Sequence, residues 1–183
     1  MDFLYFWVTS AKCWEGQYHE NFFNTEGGFL WGFLGALILG IVGALAFYFG
    51  CCNSKESGKY AKIGVWWIFM AVSAVVSYFY ADQVLIGHSS TTDNASVFYS
   101  HSFYKANDDY FIKKTSEASV SPTDISALTQ TKNEISSNLD KGGDVRFEFD
   151  MTTALLSALF FFLVSLAVKR FTVTGKAIPM LNP

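Results

Sequence analysis

The chain has 183 residues, of which 51% are apolar and 18% aromatic, while only 16% are charged. Soluble domains are nearer a quarter charged, so this composition argues against a soluble globular protein. The net charge of −3 gives no basic surface for nucleic acid.

The N-terminal segment, residues 1–27, is expected outside the cytoplasm. Met1–Trp14 holds Phe3, Leu4, Phe6, Trp7, Val8 and Trp14. It is too short to span a bilayer, and its aromatic rings predict a helix lying in the membrane interface. It lacks the basic leader and small-residue cleavage motif of a removable signal peptide.

Three apolar blocks follow. Residues 28–50, 63–81 and 151–168 each contain no charged side chain. Each is close to the length of about twenty residues that a helix needs to cross the hydrocarbon core. A chain this short cannot surround three such helices with enough protein to hide them from water. Lys55, Lys59 and Lys62 fall in the loop 51–62, and Lys169, Arg170 and Lys176 fall in the tail 169–183. The positive-inside rule makes both cytoplasmic, with the N-terminus out and the C-terminus in.

The first span carries a row of small residues at four-residue spacing: Gly28, Gly32, Ala36, Gly40 and Ala44, with Gly35 and Gly43 beside it. Helices in lipid associate by close packing, which small residues permit. The second span offers Ser73, Ser77 and Ala81 at the same spacing. These residues form the expected helix-packing or oligomer interface, within the chain or between copies. The third span has Ala154, Ala158 and Ser165 opposite a run of Phe160, Phe161 and Phe162.

Residues 82–150 form a polar segment, expected to be a small extracytoplasmic α+β domain. Ser96–Tyr104 (SVFYSHSFY) reads as a strand, and Tyr110–Ile112 as a weaker one. Ser121-Pro122-Thr123-Asp124 reads as a helix start, with Ser121 as cap. The predicted helix runs to about Leu139 and stops at Gly142-Gly143. Its stripe of Ile125, Leu128, Ile135 and Leu139 is a candidate interaction face. Val145, Phe147 and Phe149 alternate with charged residues, the pattern of a half-buried strand leading into the third span.

The fold class expected is therefore a membrane bundle of three transmembrane helices with a small α+β domain between the second and third. No catalytic motif, cofactor fingerprint or zinc spacing is present. His19, His88 and His101 show no ligand spacing on a shared helix, and no metal site is expected. Cys13 lies on the opposite side of the membrane from Cys51 and Cys52, so no disulfide can join the two sets. Asn94-Ala95-Ser96 is a glycosylation sequon, relevant only on a eukaryotic secretory route.

These features predict a non-enzymatic integral membrane subunit. It anchors, scaffolds or transmits strain in a larger complex, and its partners are membrane lipid and either other copies of itself or other envelope proteins. The alternative expectation is an oligomeric pore, for example a bacterial defence effector, lined near Ser73 and Ser77. The expected location is a bacterial inner membrane.

Overall fold

The computed structural model describes residue 5 and residues 27–52, 62–87, 103–116, 121–140 and 144–171. In chain order these form α1 (Gly28–Cys51), α2 (Ile63–Tyr80), a π-helical segment (Ala81–Ile86), α3 (Phe103–Thr115), α4 (Pro122–Asp140) and α5 (Asp144–Val168), which ends in a 3-10 turn at Lys169–Phe171. Three stretches are long and apolar enough to cross a membrane: Gly28–Cys51, Ile63–Ile86 and Arg146–Val168, of 24, 24 and 23 residues. At 1.5 Å per residue, 24 residues reach about 36 Å, against about 30 Å for the hydrocarbon core. The chain thus has the makings of a multi-pass membrane protein.

The expected α+β domain is not what forms, because the described residues contain no strand. Tyr110–Ile112 lies inside α3, as do Phe103 and Tyr104 from the end of the other expected strand. Residues 96–102 lie outside the described residues. Lys113 and Lys114 close α3 against its negative dipole end. Phe111 turns inward while its neighbour Ile112 stays 63% exposed.

The Val145–Phe149 strand is also overturned, since α5 begins at Asp144 and runs unbroken into the third span. Alternation over five residues is a short signal, and extending a long helix by further turns is cheap once it has nucleated. Burial follows helical spacing: Arg146, Phe149 and Asp150 are buried and Phe147 is 55% exposed. A strand would have required the reverse for residues 146 and 147.

The helix expected after Ser121 forms at Pro122–Asp140. Ser121 Oγ accepts from the Asp124 backbone N–H at 3.2 Å, and the Asp124 carboxylate accepts from the Ser121 N–H at 3.3 Å. This reciprocal pair satisfies donors that a bare helix start leaves open. The N-terminal interfacial helix expected over Met1–Trp14 lies outside the described residues, except Tyr5.

The chain divides into two compact units, Phe33–Tyr78 with Thr153–Pro183, and Met1–Gly32 with Phe79–Thr152. In the first, the membrane helices pack around Ala44, Phe47, Tyr48, Cys52, Trp66 and Phe161. Trp66 and Phe161 meet edge to face at 5.4 Å between ring centres. Ile38, Val42, Ile68, Val72, Val75 and Leu159 point outward from the three helices and are exposed. An apolar exterior on every helix is the pattern that lipid, not water, accommodates. In the second unit, Tyr5, Phe29 and Phe149 stack as an aromatic trio, with Tyr5 4.8 Å from Phe29 and 5.4 Å from Phe149. There α3 lies against α4 and against the π-helical segment.

Candidate functional site

At three glycines of α1 an added Cβ would meet other parts of the same chain. A Cβ on Gly40 would stand 2.7 Å from the Ser157 carbonyl oxygen, 2.8 Å from Phe160 Cβ and 3.0 Å from the Phe161 backbone nitrogen. At Gly43 it would run into Ser73 Oγ. Ala36 and Ala44 are fully buried. At Gly32, in the other unit, a Cβ would meet the Tyr5 hydroxyl at 2.7 Å and Phe149 Cζ at 2.8 Å. Gly28 is buried and Gly35 half-buried.

Ser73 and Ser77 are buried as well. Ser73 Oγ donates to the Phe69 carbonyl at 3.0 Å, and the Ser73 carbonyl accepts from Ser157 Oγ at 3.3 Å. Trp66 Nε1 donates to Ser165 Oγ at 3.2 Å. These bonds tie α2 to α5 by polar contacts between membrane helices, which supplement close packing in an apolar solvent. Ala81 is buried in the unit that contains the polar helices.

Two features have no counterpart in the sequence pattern. Helix α2 does not stop at Asp82; it widens into a π-helical turn in which the Gly87 N–H donates to the Asp82 carbonyl at 2.9 Å. Gly87 ends the turn at φ 75°, a conformation that favours glycine. Helix α5 starts early enough to bring Arg146 and Asp150 onto one face, four residues apart.

Arg146 is the hub. Its Nε donates to Asp82 Oδ1 at 2.5 Å, its Nη1 to the Gly87 carbonyl at 3.1 Å, and its Nη2 lies 3.4 Å from the Asp82 carbonyl. Nη2 is also paired with Asp82 Oδ1. The guanidinium therefore pairs with the Asp82 carboxylate and also binds the carbonyls of Asp82 and Gly87, near the two ends of the π-helical segment. The two side chains are only 7% and 15% exposed, so the pair is largely desolvated. Removing one partner of such a pair leaves an uncompensated charge in a poor solvent. Gln83 Nε2 donates to the other Asp82 oxygen.

Asp150 completes the group. Its side chain is fully buried, and neither carboxylate oxygen has a hydrogen-bond partner. It faces both the Asp82 carboxyl and the Arg146 guanidinium. Two carboxylates and one guanidinium thus share one buried place at the ends of the second and third stretches. Its members were legible only as a charge just past one span and an Arg-Asp pair just before another.

On α4, Ile125 is 39% exposed and Leu128 half-buried. The side chains of Ile135 and Leu139 lie outside the described residues, as do Cys13, the three histidines and the Asn94 sequon. Cys51 is half-buried and Cys52 buried, and neither is in a disulfide. Among the described residues no group of three or more His, Cys, Asp or Glu is placed to hold a metal ion. Protein-family models, curated proteins and solved structures give no match to this chain.

Proposed function

We propose that the chain is a non-enzymatic subunit of a larger membrane complex. Its three spans anchor the polar helix pair α3–α4 and present it to a partner, which is another envelope protein or a second copy. The observation that carries this reading is α4. Its described side chains are exposed throughout residues 121–134, apart from the half-buried Leu128 and Lys132. Yet the helix opens with a complete capping box. A helix that is polar nearly all round gains little from burial in its own chain. Such helices bridge between bodies, and a partner supplies the missing packing.

The placement of the small residues supports the same reading. Gly40 and Gly43 receive Ser157, Phe160, Phe161 and Ser73 of their own chain, which leaves the exposed polar helix as the surface for assembly. Ser73 and Ser77 are buried among packed helices, which favours a structural role for them over a pore lining. In this reading the N-terminus and residues 82–150 lie outside a bacterial inner membrane and the tail lies inside. The lysines at 55, 59 and 62 and the Lys169-Arg170 pair support that orientation.

Site-specific photocrosslinking in native membranes tests the proposal. A photoreactive residue at Ile125 or Asn133 should give discrete protein adducts, while one at Val72 should give lipid adducts. Absence of protein adducts from both α4 positions, with normal membrane insertion, would rule the reading out.

A further inference from the structure

We propose that Asp150, together with Asp82, forms a buried site for one positive charge, taken as a proton or as a monovalent metal ion. The geometry makes the case. Arg146 donates to Asp82 and to the carbonyls of Asp82 and Gly87. Asp82 is satisfied on both oxygens, by Arg146 and by Gln83. Asp150 is fully buried and neither of its oxygens receives a hydrogen bond. The charged groups acting on it are Asp82, from the π-helical segment, and Arg146, from its own helix.

With every group ionised, this cluster carries one net negative charge. A buried carboxylate without a donor is costly, and buried charges in proteins are paired or bound to cations. One positive charge makes the cluster neutral. A proton would let Asp150 donate to Asp82; a monovalent ion would bridge the two carboxyls. Two carboxylates beside a guanidinium fall short of the ligand set that a divalent ion draws.

The experiment uses the full chain in detergent or nanodiscs, with thermal unfolding as the readout. One arm varies pH from about 6 to 9 at fixed salt, a range in which ordinary carboxylates do not titrate. The other replaces N-methylglucamine chloride by NaCl or KCl at fixed pH and ionic strength. A ligand that binds only the folded chain should raise the midpoint by about 3 °C or more per tenfold rise in its activity above half-saturation. A response to pH alone identifies the proton; a response to Na+ or K+ identifies the metal ion. Asp150→Asn, whose amide can donate to Asp82 without a bound cation, should fold and lose the response. Asp150→Glu should keep it. An independent readout serves if Asp150→Asn does not fold: a carboxylic-acid carbonyl band in infrared difference spectra for the proton, or broadening of the 23Na resonance for the ion. A wild-type chain indifferent to both variables, or an Asp150→Asn chain that responds as wild type does, overturns the proposal.

Discussion

Replacing Gly40 by alanine tests the packing of the membrane helices, because the same change elsewhere in the chain should have the opposite sign. The new methyl group at position 40 would lie 2.7 Å from the Ser157 carbonyl oxygen and 3.0 Å from the Phe161 nitrogen, both of them backbone atoms of α5. Backbone cannot swing aside as a flexible side chain can, so α1 and α5 must separate. Overpacking of this kind costs about 2–3 kcal/mol. Alanine returns up to about 1 kcal/mol through its better helix propensity. The net loss is about 1–2 kcal/mol, or roughly 2–8 °C in Tm for a chain of this size. At Gly64 a Cβ would meet nothing within 4 Å, so Gly64→Ala keeps the propensity gain and loses nothing. Its Tm should stay level or rise by roughly 1–4 °C. Gly40→Leu should exceed Gly40→Ala in its loss. The assay is thermal unfolding in mild detergent followed by near-UV circular dichroism. Equal Tm values for Gly40→Ala and Gly64→Ala would refute the close contact.

Three further perturbations probe the polar contacts and the cap. Arg146→Ala should destabilise by about 3 kcal/mol because it strands Asp82 in a desolvated place; adding Asp82→Ala to it should cost much less than the two single losses summed, as a double-mutant cycle on Tm would show. Trp66→Phe and Ser165→Ala should each cost about 1 kcal/mol, and the double variant little more than either, because both remove one interhelical hydrogen bond. Ser121→Ala should weaken α4 locally by about 1 kcal/mol, seen as roughly fivefold faster amide exchange at the start of α4 with no change in global Tm. No such acceleration would mean that the cap contributes nothing to the helix.

The membrane character of the chain was legible because long apolar runs without charge are rare outside membrane-spanning helices. Gly28–Cys51 was bounded almost to the residue. The cap at Ser121 was legible because a helix start has its own local chemistry. In the polar segment the patterns are too short to decide between strand and helix. Phe147 and Val145 alternate with charges, but their helix is set by the span that follows, which no window of five residues contains. The aromatic run before Tyr110 fits a strand by propensity, yet α3 begins within it, since β-propensity reports packing context more than backbone preference. The cluster of Asp82, Arg146 and Asp150 is hidden from the sequence pattern for a related reason. Both uncharged runs stop at a charged residue, and the residues beyond those limits are the ones that meet. Which carboxylate Arg146 chooses is a tertiary fact: Asp150 lies four residues away on its own helix, whereas Asp82 lies far off in sequence and still takes the bond.

The central claim is that this chain is one part of an assembly. It is tested most directly by native mass spectrometry of the chain extracted from its own membrane in mild detergent. A species of fixed stoichiometry is expected, either a multiple of this chain or this chain with another protein at constant ratio, which dissociates when α4 is altered at Ile125 and Asn133. A single chain with bound lipid as the sole species, across detergents mild enough to preserve known complexes of the same membrane, would contradict the claim.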